Sequence, residues 1–353
     1  MRNPIYGVTA IITSGLLLSA CAPDVNFLTV QQDLASLDGG GSFKSVNQSF
    51  EVKANADIDV LFVVDNSASM LEEQRNISSK IDGFMSLIKG MNWHVALTTT
   101  DPNSNTTAPD KSVRAWGDGQ LRPFDSDGGS LYVLKASSHS LSSAQSMLSA
   151  ALNVGVSGSG HERGIYASHR SIERTSNTPA NQDFFRQNSK LVVILISDED
   201  ECSSGIGNCQ NNAAKSAPEN LVKLVQERFG AEKVFGFHSI IKAASDTACS
   251  TAAFAPVYES LSKLTGGVIG SVCASDYTKI LTSIGTKTAE LLKSINLKCN
   301  PADANNDGKV DFALIDSKGK LITSGYSVSG STVSFSDSLP EGSYSASYSC
   351  VDK

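Results

Sequence analysis

The stretch LFVVDNSASM, residues 61–70, decides how the chain is read. It opens inside a continuous apolar run that begins at Ile58, the pattern of a strand buried on both faces. It then turns polar, with Asp65, Ser67 and Ser69 at alternating positions. Beyond it, SMLEEQRNISSKIDGFMSLIKGM carries apolar residues at Met70, Ile77, Ile81, Phe84, Leu87 and Ile88, which predicts one helix with a single inward face. Strand, polar turn and helix in that order put the three oxygen-bearing side chains at the carboxyl end of a core strand. Asp and Ser often cap a helix that follows a strand. Capping accounts for one such residue per turn, not for three alternating ones.

Reading outward, strands and helices alternate. WHVALTTT is the next strand, and GQLRPFDSDGGSLYVLKA has turn residues at 127–129 that suggest a hairpin-like excursion. SSAQSMLSAAL and ERGIYASHRSIER follow as helices. KLVVILIS, residues 190–197, is the strongest core strand. After it come a helix near 217–229, the strand KVFGFHSII, a helix near 257–264, the strand GGVIGSVC and a last helix over about 275–295. This order predicts an α/β fold with a doubly wound, mostly parallel sheet flanked by helices. After Cys299 the texture changes to short alternating segments, so residues 297–353 are expected to form a small β-sandwich-like domain. In open α/β sheets ligands sit beyond the carboxyl ends of the strands, at the switch point. Both acid-rich turns, DNSAS and SDEDECS, fall at such ends, and neighbouring strands would bring Asp65 and Asp198 together. Asp200 and Glu201 read as solvated rim charges, with a second cation site as the alternative.

The D-x-S-x-S motif after this strand, joined to the second acidic turn, resembles the metal-ion-dependent adhesion site of the von Willebrand factor A-domain, with residues 57–296 matching its element order. The resemblance implies that Ser67 and Ser69 bind a divalent cation directly while Asp65 and Asp198 hold its waters. Mg²⁺ suits such oxygen ligands, with Mn²⁺ or Ca²⁺ as alternatives. The family places a threonine three residues before a helix-starting glycine. The loop here is GVSGSGHERG, and that position is His161. Glu162 is the better oxygen ligand, with Ser157 and Ser159 as alternatives; GSGHE together with ISDEDECS resembles a bacterial lipoprotein subgroup of the family. An acid in this place strengthens the hold on metal and weakens the pull on an acidic ligand. The expected role is a non-enzymatic envelope protein binding a protein or glycan partner through the cation. The alternative is an envelope assembly factor in which metal stabilises the fold and the C-terminal β domain makes the contacts.

The remaining features set the compartment and exclude rivals. The chain has 353 residues and a net charge of −7, without the basic face that a nucleic-acid binder needs. MRNPIYGVTAIITSGLLLSA has the charged start and short apolar core of a signal peptide over residues 1–20. LSAC resembles a lipobox, which implies a lipid anchor on Cys21 and a flexible linker over residues 21–56. Ala22 in place of aspartate implies the outer membrane of a Gram-negative cell, on either face. The other six cysteines suggest disulfides, with sequence neighbours paired: Cys202 with Cys209, Cys249 with Cys273, Cys299 with Cys350. DANNDGKVD begins like a calcium loop, with Asp303, Asn305 and Asp307 alternating and Gly308 sixth. Its twelfth position is Leu314 rather than glutamate, and a tight turn explains the same residues. No HExxH pair, CxxC pair or nucleophile-elbow spacing supports a hydrolase or a zinc site.

Overall fold

The structure, a computed structural model, describes residues 42–53, 55–102, 117–125, 129–202, 210–247 and 249–351. The signal-peptide stretch, Cys21, Cys209 and most of the expected linker lie outside the described residues. Within them, β2 (Asp57–Val64), β3 (Asn92–Thr99), β4 (Leu134–Lys135), β5 (Lys190–Ile196), β6 (Phe235–Ile241) and β7 (Ile269–Ser271) form one six-stranded sheet in the order β4-β3-β2-β5-β6-β7. Strands β3, β2, β5, β6 and β7 are joined by four parallel ladders, and only the edge strand β4, paired with β3, runs antiparallel. The apolar runs read from the sequence are buried because both sheet faces are covered. One face (Val60, Phe62, Val95, Ile194) packs under α1 (Leu71–Ser78), α2 (Ile81–Leu87), α3 (Leu141–Leu152) and, near the chain end, α8 (Thr278–Leu291). The other (Leu61, Val63, Val193, Leu195) packs under α4 (Gly164–Glu173), the short α5 (Pro179–Gln182), α6 (Pro218–Phe229) and α7 (Pro256–Leu264).

The strand-bottom end of the sheet is locked by charge. Arg186 donates through Nε to Asp59 Oδ1 at 2.7 Å and through Nη2 to the carbonyls of Ile58 and Asn92, both at 2.8 Å. Asp59 is fully buried, and its second oxygen accepts the Arg186 N–H at 2.8 Å. A buried carboxylate of this kind is tolerated only with such complete pairing.

Three expectations are corrected. The helix after Met70 is broken into α1 and α2: the chain turns at Ser79 and Lys80, where Ser79 N–H returns to Arg75 O and Lys80 N–H to Ile77 O. The last helix stops at Leu291, and Ser294–Asn296 leaves it as strand β8. The linker ends earlier than residue 56, because Phe43–Val52 is strand β1, paired along its whole length with β13 (Gly342–Val351).

The two smaller sheets therefore recruit chain from both sides of the α/β part. One has the order β1-β13-β9-β10, with β9 at Phe312–Asp316 and β10 at Leu321–Ile322; the other is β11-β12-β8, with β11 at Tyr326–Ser329 and β12 at Thr332–Phe335. They share one core of Leu297, Leu314, Val333, Tyr344, Ala346 and Tyr348, against which Val46, Phe50 and Ile295 pack. Gln48 links the layers, accepting the Tyr348 hydroxyl at 2.7 Å and donating to Asn296 O at 2.8 Å. Cys299–Cys350 and Cys249–Cys273 are disulfides, with Cα separations of 6.2 and 5.5 Å. Cys202 is also disulfide-bonded. No helix among the described residues is long and apolar enough to cross a membrane.

Candidate metal centre

β2 has β3 on one side and β5 on the other, so the chain's first sheet-forming crossovers leave it in opposite directions. That is the topological switch point, and the crevice beyond the strand ends lies there. Asp65 is fully buried at the tip of β2. Its Oδ1 accepts the Ser67 N–H at 2.8 Å and its Oδ2 accepts the Ser197 hydroxyl at 2.6 Å. Ser67 Oγ lies 3.2 Å from Ser69 Oγ, and Ser69 in turn hydrogen-bonds Asp198. The chain thus brings Asp65, Ser67, Ser69 and Asp198 into one continuous polar cluster. Ser67 begins the turn that leads into α1 without making a side-chain cap, so the helix-capping explanation of its hydroxyl fails.

The electrostatics of this cluster lack a counter-charge. Burial pushes the Asp65 carboxyl up to about 7, against the hydrogen bonds from Ser197 and Ser67, and the Asp198 carboxylate adds to the rise. Asp198 is raised by burial and by Glu199, and Glu73 by burial, Asp198 and Glu72. The charges bearing on these carboxyls are other carboxylates. Asp198 Oδ1, in a residue only 7% exposed, makes no hydrogen bond among the described residues. A hard divalent cation bound by oxygen would satisfy both the orphaned acceptor and the uncompensated charge. Among the described residues no group of three His, Cys, Asp or Glu is disposed to hold a metal, so an ion here depends on serine hydroxyls and water as well as carboxylates.

The third loop, residues 155–163, is stitched over the same strand ends. Gly158 N–H donates to Asn66 O at 2.9 Å, Arg163 N–H to Thr100 O at 3.0 Å, and Cys202 N–H to Glu162 O at 2.7 Å. Glu162 is fully buried in this loop. Ser159 donates its N–H to Asp101 Oδ2 at 3.1 Å, and its hydroxyl accepts the His161 N–H at 3.1 Å, so that oxygen already shapes the loop. Gln74, which the sequence reading missed, holds the crevice together: its Nε2 donates to Asp65 O at 2.8 Å and Gly155 O at 2.9 Å, while its Oε1 accepts the Gly155 N–H at 3.2 Å.

Asp200 and Glu201 are not rim charges. Glu201 is buried and accepts the Ile165 and Tyr166 N–H groups at 2.8 and 3.1 Å, closing the first turn of α4. Asp200 Oδ1 accepts from Val257 at 3.2 Å and Tyr258 at 3.4 Å at the start of α7. One acidic turn thus supplies Asp198 to the crevice and two caps to helices that wall it. Burial raises Glu201 to about 7 in spite of its hydrogen bonds.

The residues 303–311 turn is separate from this cluster. Asp303 accepts the N–H groups of Asp307 and Gly308 at 3.1 and 2.8 Å, and Asn305 Oδ1 accepts Asp307 N–H at 2.9 Å. Asn306 and Gly308 have φ of 59° and 87°, as a tight Asn-Asp-Gly turn requires.

No protein-family model matches the chain, and no curated protein matches it. Among solved structures it is similar to the pilus adhesin SpaC from Lactobacillus rhamnosus GG in its open conformation, at 10% identity and a TM-score of 0.40, over 87% of this chain and 40% of that one. It is also similar to proximal thread matrix protein 1 from the mussel byssus, at 14% identity and a TM-score of 0.36, over 69% of this chain and 48% of that one. The chain spans less than half the length of either, and likenesses this distant assign neither family nor function.

Proposed function

We propose that residues 57–296 form a von Willebrand factor A-like domain whose crevice binds a divalent cation, Mg²⁺ or Mn²⁺ by preference. In this reading the protein is a non-enzymatic lipoprotein, anchored through Cys21 in the outer membrane, that uses the site to hold a protein or glycan partner. The observation that carries the reading is the convergence of Asp65, Ser67, Ser69 and Asp198 at the switch point, with an unpaired buried carboxylate oxygen among them.

Ser67 and Ser69 present neutral oxygens to the ion, and Asp65 and Asp198 supply the negative charge around it. Glu162, buried in the third loop, adds a further acid that favours cation retention. The bound ion supplies electrophilic attraction for a partner's oxygen. The chain's own contribution is a rigid floor, because Gln74 and Ser197 fix Asp65 from two sides. Disulfides at Cys249–Cys273 and Cys299–Cys350 fit an exported protein.

The test is retention of the purified protein on a panel of immobilised proteins and glycans, with Mg²⁺ or with EDTA, beside Asp65→Ala. Retention lost in both EDTA and the variant supports the reading. Retention unchanged in both, with the variant folded, overturns metal-bridged binding.

A further inference from the structure

The parallel register of the central strands continues past their last residues. Asp65 N–H donates to Ile196 O at 2.9 Å, Thr100 N–H to Val64 O at 3.2 Å and Ser197 N–H to Ile240 O at 3.1 Å. Within the ladders, Val63 stands opposite Thr98 on β3 and Leu195 on β5. Two residues further on, the same register sets Asp65 between Thr100 and Ser197. Side chains two apart share a sheet face, here the face of Leu61, Val63, Ala96 and Leu195. Thr100, Asp65 and Ser197 therefore form a row across three adjacent strand ends.

One half of that row is joined, since the Ser197 hydroxyl donates to Asp65. The other half is not. Thr100 is fully buried, and its Oγ1 makes no hydrogen bond among the described residues. Its backbone is fixed on both sides, the N–H to Val64 and the carbonyl to Arg163 of the third loop. A valine would fill the same space without a buried polar atom, so packing gives no reason for the hydroxyl, and burying it unpaired is unfavourable. Two more buried acceptors around the crevice share this condition, Asp198 Oδ1 and Asn66 Oδ1. Asn66 is held against the third loop, where a Cβ on Gly158 would lie 2.2 Å from its Cγ.

We infer that Thr100 Oγ1 is a ligand of the divalent cation, supplying a neutral hydroxyl from the end of β3. This rests on the metal-binding reading above and adds a residue to it. A hydroxyl contributes a hard oxygen with no added charge, so it adds to the ion's hold without weakening the ion's attraction for a partner.

The experiment is calorimetric titration of MgCl₂ and MnCl₂ into the purified chain, with the free-Mn²⁺ paramagnetic signal as a second readout. Wild type is compared with Thr100→Val, Thr100→Ser and Asp65→Ala, and melting in EDTA is recorded for each. Thr100→Val is expected to weaken binding by about tenfold or more, with no loss of melting temperature in EDTA. Thr100→Ser is expected to bind within about threefold of wild type, since it keeps the oxygen. Wild-type affinity in Thr100→Val, with binding abolished in Asp65→Ala, overturns the role of Thr100 alone. A wild type that binds neither ion overturns the metal reading beneath it. A fall in the EDTA melting temperature of Thr100→Val that matches the affinity loss assigns Thr100 to structure and overturns the inference.

Discussion

His238 gives the fold a defined sensitivity to acid. It sits within β6, fully buried, and its Nδ1 accepts the Val268 N–H at 2.8 Å. The ring is therefore neutral, with its proton on Nε2. Burial, with Lys287 adding to it, pushes the imidazole down to about 4 from an ordinary 6.5. A group depressed in the fold takes up a proton more readily when unfolded. Its contribution is complete above about pH 6.5 and is lost as the pH falls toward 4. Linkage sets that loss at about 2 kcal/mol by pH 5 and about 3 kcal/mol by pH 4. Other groups titrate in the same window, and Glu201, raised by its burial, shifts stability in the opposite sense. The contribution of His238 is therefore isolated by comparison with His238→Gln, whose amide oxygen can accept the Val268 N–H and does not titrate. Urea unfolding of both proteins at pH 7.5 and pH 5 measures it. The wild type should lose about 2 kcal/mol more than the variant between the two. Parallel losses would refute the neutral, buried assignment of the ring.

Other expected outcomes follow from the same contacts. Glu201→Ala strands two N–H groups at the start of α4 and should cost about 2–4 kcal/mol in chemical denaturation, with Glu201→Gln losing less. Replacing Cys299 and Cys350 together with serine opens a link across 51 residues and should lower stability by about 4 kcal/mol, read as a shift in urea midpoint. Gly164→Ala places a methyl 2.4 Å from Leu195 Cδ1 and 3.2 Å from the Tyr258 hydroxyl; a loss of about 1–3 kcal/mol in thermal unfolding is expected.

The central sheet was legible because β2, β5 and β6 are covered on both faces and so appear as unbroken apolar runs. β1 was hidden by its position at a sheet edge: only one side of FKSVNQSFEV meets a core, and the rest is polar enough to pass for linker. β8 was hidden by its length, since three residues following a helix show no period of their own. In the crevice, Asp65, Ser67, Ser69 and Asp198 carried a spacing that could be read. Gln74 and Ser197 did not, because each is a single polar residue whose partner comes from a different element, and Thr100 did not, because it is one hydroxyl at the end of an otherwise ordinary strand. Glu201 and Asp200 looked like surface charge for the same reason. The helix ends they cap lie 36 and 57 residues away in the chain.

The most direct test of the account is equilibrium dialysis of the purified chain against Mn²⁺, followed by metal analysis, for wild type and for Asp65→Ala. Saturable binding near one ion per chain, lost in the variant while its circular dichroism spectrum matches that of wild type, is the predicted result. Wild type that retains no ion, or Asp65→Ala that retains as much as wild type, would contradict a cation site at the end of β2.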